Sequence, residues 1–203
     1  MKIIDSKNVT RIALTGGPAS GKSSVIKRLK NRATAQDVNL FFLSETATTF
    51  FRERPKRISE LDNNILLRQF YIFRTQLFAE DMLLANADPG KPTVLITDRG
   101  ALDLYAFLNE DEIAVFGKEL DSLWSRYNHV IHLRGTYNNF IRDEETTRIE
   151  STENSLRDAT EKSLEVWSKC PSFYLVEQQE TIEDKVNRVI DEIHRFTHRA
   201  IFL

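Results

Sequence analysis

The sequence predicts a three-layer α/β domain in which helices cover both faces of a parallel sheet. Five short apolar segments typical of strands alternate with stretches of helical periodicity along the 203 residues. A glycine-rich segment also lies between the first predicted strand and the first predicted helix. Parallel strands need crossover connections, and helices supply them on either side of the sheet. The alternation therefore favours a doubly wound arrangement.

The composition is typical of one soluble domain. A chain of 203 residues can bury a sizeable core, and its formal net charge of −2 favours neither nucleic acid nor a membrane surface. The single cysteine, Cys170, excludes a disulfide within the chain. The N-terminal residues lack the apolar core of a signal peptide, and no apolar run approaches membrane-spanning length. We therefore expect a cytoplasmic protein with a single domain over residues 1–203, whose oligomeric state the sequence does not indicate.

The glycine-rich segment matches the pattern G-x-x-x-x-G-K-[ST] of phosphate-binding loops. It follows the apolar residues 11–15 and precedes a helical stretch, so the strand–loop–helix context that the pattern requires is present. In such a loop the backbone N–H groups point at a polyphosphate, and the following helix adds the positive end of its dipole. The predicted phosphate-binding residues are Gly16, Gly17, Pro18, Ala19, Ser20, Gly21, Lys22, Ser23 and Ser24.

Two side chains of this loop have predicted roles of their own. We expect Lys22 to bridge the β- and γ-phosphates of a nucleoside triphosphate. We expect the Ser23 hydroxyl to hold Mg²⁺. The loop therefore predicts the phosphoryl donor, but it does not indicate where the phosphoryl group goes.

The remaining predicted elements alternate in type as the fold class requires. The later predicted strands span residues 38–43, 93–97, 129–133 and 172–176. The later predicted helices are a long one over residues 58–85, one that begins near Ala101, and another that reaches Tyr127. Two more are predicted over residues 151–167 and 182–198. In such sheets ligands gather beyond the carboxyl ends of the strands. The residues that follow each strand are therefore the candidates for chemistry.

An aspartate and an arginine follow the third predicted strand. Asp98 ends a largely apolar run, where a carboxylate can hold Mg²⁺ directly or through its water shell. Arg99 beside it is suited to neutralise a transferring or acceptor phosphate. The alternatives, a helix-capping aspartate and a surface arginine, stay open.

Glu45, after the second predicted strand, is the candidate for the acceptor side. A carboxylate there could orient or deprotonate an acceptor hydroxyl, or it could be a helix-start glutamate favoured by the helix dipole. Gln69, Phe73, Gln76 and Glu80 share one face of the long predicted helix. They would suit a heterocyclic acceptor by stacking and edge hydrogen bonds. The alternative is an amphipathic helix with Phe73 in the core.

Residues 135–150 lack apolar periodicity and are the candidate for a lid. Arg142 and Arg148 lie in this segment, and a closing lid that brings arginines would stabilise the negative charge of phosphoryl transfer while excluding water. The alternative is a solvated surface, since acidic residues lie close by. The basic residues between 52 and 57 could bind a phosphorylated acceptor or nucleic acid, but without interleaved aromatics or a basic overall charge a solvated loop is the commoner explanation, and nucleic acid is not the favoured partner.

Three segments of the sequence resemble the P-loop small-molecule kinases: residues 15–23, 44–48 and 97–103. The chain is similar to the AAA-domain group that includes the nicotinamide riboside kinase domain, and more distantly to the deoxynucleoside and thymidylate kinases. The resemblance implies a nucleoside- or nucleotide-kinase-like fold with strand order 2-3-1-4-5. It implies transfer from ATP to a small acceptor, with Glu45 as the acceptor-side acid and Asp98 and Arg99 as the catalytic pair.

Two main classes of function follow from these predictions, beside a third, a nucleic-acid 5′-kinase that would use the basic residues near Arg54. The first is an ATP- and Mg²⁺-dependent kinase for a nucleoside, nucleotide or similar small metabolite, in which Lys22 and Arg99 carry transition-state charge. The second is a P-loop switch or regulatory ATPase that works through a protein partner. A GTPase of the common type is disfavoured, because the chain lacks the Asn-Lys-x-Asp tetrad that reads guanine.

Overall fold

The computed structural model describes residues 8–53, 64–116, 122–135 and 153–203. Its strands are β1 Val9–Thr15, β2 Asn39–Leu43, β3 Thr93–Asp98, β4 His129–Leu133 and β5 Phe173–Val176. They form one parallel sheet in the order β2-β3-β1-β4-β5. The predicted fold class and strand order are confirmed.

Helices connect these strands and lie on both sides of the sheet. The α-helices of the described residues are α1 Lys22–Arg32, α2 Thr46–Glu53, α3 Ile65–Ala85, α4 Glu110–Ala114, α5 Glu153–Trp167 and α6 Ile182–Thr197. Among the described residues between β3 and β4 lie two 3₁₀ helices, Ala101–Ala106 and Trp124–Arg126. The predicted helix near Ala101 is therefore a 3₁₀ helix, and α2 was not predicted.

On one face of the sheet, α1 and α6 pack over aliphatic side chains. Ile12 and Leu14 of β1 point to this face because side chains alternate along a strand. Leu29 of α1 and Val189 of α6 are fully buried in the same cluster. Helix α1 presents its apolar residues to the sheet every three to four positions, so polar residues occupy its opposite side.

On the other face, α3, α5 and the 3₁₀ helix after β3 enclose larger and more polar side chains. Phe73 of α3 and Trp167 of α5 belong to this second cluster. Glu80 of α3 is fully buried. Its carboxylate accepts hydrogen bonds from Arg126 Nε at 2.7 Å and from Tyr127 OH at 2.8 Å. The charge is therefore paired within the core, as a buried carboxylate requires.

The sheet brings the C-terminal ends of β1, β2 and β3 to one edge, so the residues that follow these strands lie close together. Among the described residues, no helix is both long enough and apolar enough to cross a membrane.

Candidate active site

The phosphate loop connects β1 to α1 and is shaped by glycines. Gly16 has a φ of 139° and Gly21 a φ of 84°, values that residues other than glycine rarely adopt. A Cβ at Gly17 would lie 1.7 Å from Oγ1 of Thr160 on α5, and a Cβ at Gly16 would lie 2.3 Å from the carbonyl oxygen of Leu133. The loop is thus fitted closely against α5 and the end of β4.

Lys185 of α6 also holds the loop and was not predicted from the sequence. Its Nζ donates to the carbonyl oxygen of Ser20 at 3.1 Å and to that of Arg134 at 3.0 Å. Burial lowers the pKa of this ammonium group. A lysine four residues into an amphipathic helix carries no signal of such a contact, because the contact depends on where α6 lies against the loop.

Lys22, the lysine of the motif, lies along the loop. Its Nζ donates to the carbonyl oxygens of Gly16 and Gly17, both at 2.8 Å, and to Oγ of Ser20 at 3.0 Å. Burial, together with the charge of Arg99, lowers the pKa of Lys22 to about 7. The ammonium group is therefore held by neutral oxygens, which phosphate oxygens of opposite charge can replace with stronger hydrogen bonds.

Asp98 and Ser23 line one cleft beside the loop. Oδ1 of Asp98 is buried and has no hydrogen-bond partner among the described residues. Burial raises the pKa of Asp98 to about 6, although the charge of Lys22 opposes the shift. A buried, unpartnered carboxylate oxygen and a hydroxyl on the same cleft are the hard oxygen ligands that Mg²⁺ prefers. The two residues therefore fit the predicted magnesium site.

Glu45 and Arg99 form an ion pair between the ends of β2 and β3. Arg99 Nε donates to Oε1 of Glu45 at 2.6 Å, and Thr48 Oγ1 donates to Oε2 at 2.6 Å. Burial alone would raise the pKa of Glu45, but the charge of Arg99 and the Thr48 hydrogen bond outweigh it and lower the pKa to about 2. Glu45 is thus ionised at neutral pH. It also precedes α2 directly, so the helix-start interpretation holds at the same time.

Arg99 connects this ion pair to the phosphate loop. Its Nη1 donates to the carbonyl oxygen of Gly16 at 3.2 Å and lies 3.4 Å from Oδ1 of Asp103. Burial would lower the pKa of the guanidinium, but the acids Glu45 and Asp103 raise it. Its backbone has a φ of 69°, a conformation that costs a residue with a side chain roughly 1–3 kcal/mol. The surrounding contacts hold Arg99 in this conformation, with its side chain only 15% exposed.

Asp103 is a site residue to which the sequence analysis gave no role. Its Oδ1 accepts from Thr15 Oγ1 at 2.7 Å, and its Oδ2 accepts from the Gly100 N–H at 2.8 Å. With its contact to Arg99, this carboxylate joins the end of β1 to the 3₁₀ helix after β3. The spacing of four residues from Arg99 to Asp103 is a signal that could have indicated their pairing.

Gln69, Phe73 and Gln76 lie on α3 and are all buried. Phe73 is 2% exposed and packs edge-on against Phe116, with ring centroids 5.4 Å apart. Gln76 accepts from Thr46 Oγ1 and donates to the carbonyl oxygen of Arg99 at 3.3 Å. Phe73 therefore lies in the core, as the alternative interpretation has it, but α3 is not the expected amphipathic helix, because polar side chains share its buried face and Phe78 is 65% exposed. Contact of Gln69 and Gln76 with an acceptor stays a prediction.

The cleft beside the loop has a volume of about 370 Å³, which suits a small metabolite. It is lined by Ser23, Ile26, Lys27, Lys30, Asn31, Ser44, Glu45, Thr48, Thr49 and Asp98. The predicted lid residues Arg142 and Arg148 lie outside the described residues. The structure therefore brings Ser23, Glu45 and Asp98 to one cleft, with Lys22 and Arg99 beside it.

A five-stranded parallel sheet in this order, with a phosphate loop after its central strand and an acid at the end of the next, defines a P-loop NTPase fold. Residues 11–185 match the family model of the AAA domain. The chain belongs to this family, which supports nucleotide binding by the loop. A comparison with curated proteins finds no match.

Proposed function

We propose that the protein is an ATP- and Mg²⁺-dependent phosphotransferase that moves the γ-phosphate to a small acceptor, such as a nucleoside, a nucleotide or a related metabolite. The observation that carries the proposal is the ionised Glu45, paired with Arg99 beside the phosphate loop and lining the same cleft as Ser23 and Asp98. Hydrolysis alone requires only an oriented water molecule. A second carboxylate in a cleft of metabolite size is suited to an acceptor hydroxyl.

The donor half of the proposed site consists of the loop and the acid after β3. Backbone N–H groups of residues 16–24 would bind the phosphates of ATP, and Lys22 would exchange its carbonyl partners for phosphate oxygens. Ser23 and Asp98 would hold Mg²⁺, which when bound neutralises phosphate charge. Arg99, already within reach of the Gly16 carbonyl, would add positive charge at the transferring group.

The acceptor half depends on Glu45. Its carboxylate would accept a hydrogen bond from the acceptor hydroxyl, whose oxygen attacks the γ-phosphorus as the bond to the β-phosphate oxygen breaks and ADP leaves. The hydroxyl proton passes to Glu45. With Arg99 attached, Glu45 is a weak base because its pKa is lowered to about 2. Movement of Arg99 toward the phosphoryl group would weaken that effect and make Glu45 more basic during transfer.

The test is acceptor-dependent release of ADP. A panel of nucleosides, nucleotides and nicotinamide riboside, each supplied with ATP and Mg²⁺, should contain at least one compound that raises ADP release and appears as a phosphorylated product. The nicotinamide riboside arm also tests the predicted relationship to that kinase domain. A rate of ATP hydrolysis that is the same with every acceptor would instead favour a regulatory ATPase that acts through a protein partner.

Glu45→Gln tests the acceptor half separately from the donor half. The amide keeps the size of the side chain but cannot take a proton, so transfer should fall by about a hundredfold or more, with ATP affinity unchanged. Glu177→Gln is the matched control, because Glu177 follows β5 and pairs with Arg134 at the protein surface. Unchanged turnover in Glu45→Gln would remove Glu45 from the catalytic role.

A further inference from the structure

Helix α1 carries basic residues on two different sides, and these sides differ in their ion pairs within the described part of the chain. Arg28 and Arg32 both pair with Glu183 of α6, at 2.5 Å and 2.7 Å. Lys27 and Lys30 instead line the cleft. Within the part of the chain that the structure describes, neither lysine lies within ion-pair distance of an acid. Among the described residues, no acid therefore pairs with the positive charge on the cleft side of α1.

The two lysines continue a line of residues that begins at the magnesium site. Ser23, Lys27 and Lys30 are spaced by four and three positions, which places them above one another on one side of the helix. At a rise of about 1.5 Å per residue, Lys27 lies roughly 6 Å and Lys30 roughly 10 Å from Ser23 along the helix axis. This separation is the length of a small metabolite.

The two ends of the cleft differ in charge. At the Ser23 end, the negative charges of Glu45 and Asp98 are balanced by the positive charges of Lys22 and Arg99. The remaining polar lining of the cleft is neutral, with hydroxyls and an amide contributed by Ser44, Thr48, Thr49 and Asn31. Lysines beside neutral hydrogen-bond donors make a site that favours an anion.

Lys30 is also held in place by an aromatic ring. Its Nζ lies 5.6 Å from the centroid of the Phe42 ring, a cation–π contact between α1 and β2. The contact restrains the side chain at the cleft without neutralising its charge. A restrained lysine loses less conformational entropy when it binds a ligand than a free one does.

We propose that the Lys27–Lys30 end of the cleft binds a phosphate or carboxylate group of the acceptor. The acceptor would then be a small metabolite that carries its anionic group away from the hydroxyl that receives the phosphoryl group. The position of that hydroxyl rests on the proposed function, whereas the anion site rests on α1 alone. A neutral nucleoside would leave both lysines without a partner in the cleft.

The experiment compares anionic compounds with their neutral counterparts while the phosphate loop is occupied. The protein is saturated with Mg²⁺ and a non-hydrolysable ATP analogue, so that added anions cannot bind to the loop. Calorimetric titration then compares D-ribose 5-phosphate with D-ribose, and D-gluconate with D-glucitol. We expect the anionic member of at least one pair to bind about tenfold more tightly, and the pair concerned distinguishes phosphate from carboxylate recognition.

Replacement of both lysines tests whether α1 is the source of this preference. The Lys27→Gln/Lys30→Gln variant should weaken binding of the anionic compound about tenfold and leave binding of the neutral compound unchanged. Lys162→Gln/Lys169→Gln is the control with the same change in net charge, since both of these lysines are exposed and lie outside the cleft. Melting temperatures of both variants check that they remain folded.

The outcomes separate this proposal from the proposed function. Anion preference that disappears in the lysine variant, without transfer to any acceptor, would support the anion site and contradict the phosphotransferase. Efficient transfer to a neutral acceptor, unchanged by the lysine variant, would support the phosphotransferase and overturn the anion site. A preference that survives in the lysine variant, or no saturable binding of either anionic compound, would also overturn it.

Discussion

The two faces of the sheet bury different kinds of side chain. Beneath α1 and α6 the core is aliphatic, and the buried pair of His129 and Glu192 lies at the start of β4, away from the phosphate loop. Beneath α3 and α5 the protein buries carboxylates and a histidine, among them Glu80, Asp103 and His132. Aliphatic contacts tolerate small shifts, whereas hydrogen bonds between buried polar groups fix distances and directions.

The polar face is the one that holds Arg99. Asp103 contacts its guanidinium, and Gln76, itself bonded to Glu80, donates to its backbone carbonyl. The aliphatic face contributes Leu29 and its neighbours, which stabilise the fold without touching the cleft acids. We infer that the polar face fixes the position of Arg99, whereas the aliphatic face, apart from the contact of Lys185 with the phosphate loop, mainly supplies stability. Three changes test this division, in order of decreasing expected effect.

Leu29→Ala should chiefly reduce stability. Leu29 is fully buried in the aliphatic cluster, so its truncation should lower the free energy of unfolding by about 2–5 kcal/mol. Denaturant unfolding measures the loss, and Leu203→Ala is the matched control because Leu203 is 82% exposed. Phosphoryl transfer per folded molecule should be unchanged. A lower rate in the folded fraction would contradict the division between the two faces.

His132 on the polar face should make stability depend on pH. Burial lowers its pKa to about 4, with the charges of Lys22, Arg134 and Arg99 acting in the same direction and Asp103 opposing them. The unfolded chain binds this proton below a pH of about 6.5, and the folded protein does not until about pH 4. The contribution of His132 to stability should therefore fall as the pH decreases through that interval, by roughly 2–3 kcal/mol. Asp98, whose pKa burial raises to about 6, acts in the opposite direction over the same interval, so the His132 contribution is read from the difference between the wild type and His132→Asn.

Free energies of unfolding measured between about pH 4 and pH 6.5 test whether this pH dependence comes from His132. In His132→Asn this part of the pH dependence should disappear, while loss of stability at lower pH, where Glu45 becomes protonated, should remain. His198→Asn is the control, because His198 is exposed and asparagine tolerates its left-handed backbone conformation. A pH dependence that is the same in the wild type and His132→Asn would assign the effect to other groups.

Asp103→Asn should lower catalysis through Arg99. The amide oxygen can still accept from Thr15, but the amide nitrogen then faces the Gly100 N–H, which costs some stability, and the side chain no longer offers negative charge to Arg99. We expect transfer to fall roughly tenfold through poorer placement of Arg99, with little change in ATP affinity. Asp103→Glu, which restores the charge, should recover part of the rate, and Asp191→Asn on exposed α6 surface is the control. Equal loss in Asp103→Asn and Asp103→Glu would indicate a purely structural role.

The strands and the phosphate loop could be predicted because their signals are local. Apolar runs of five or six residues bounded by turn residues predict buried strands, and β4 was predicted with the bounds that the structure has. The spacing of glycines, lysine and serine in residues 16–23 has one well-defined structural meaning. Helix α2 has no comparable signal, since its first turn is rich in threonine, which favours strands and turns.

The contacts within the site could not be predicted, because they join residues that are distant in the sequence. Glu45 and Arg99 form their ion pair only because β2 and β3 are neighbours in the sheet. No local sequence pattern predicts that this carboxylate and this guanidinium face each other. The pattern on α3 was ambiguous for a different reason. A helix face with Phe73 and Gln76 looks the same in sequence whether it lies against a ligand or against Phe116.

The contacts of the phosphate loop link nucleotide binding to folding of the whole domain. The loop touches the end of β4 through Gly16, α5 through Gly17 and α6 through Ser20, so its shape depends on elements up to 165 positions away in the chain. A peptide with only the motif would lack these supports. Bound ATP should therefore stabilise the complete fold by mass action, and ATP affinity becomes a sensitive indicator of whether a variant has assembled its entire sheet.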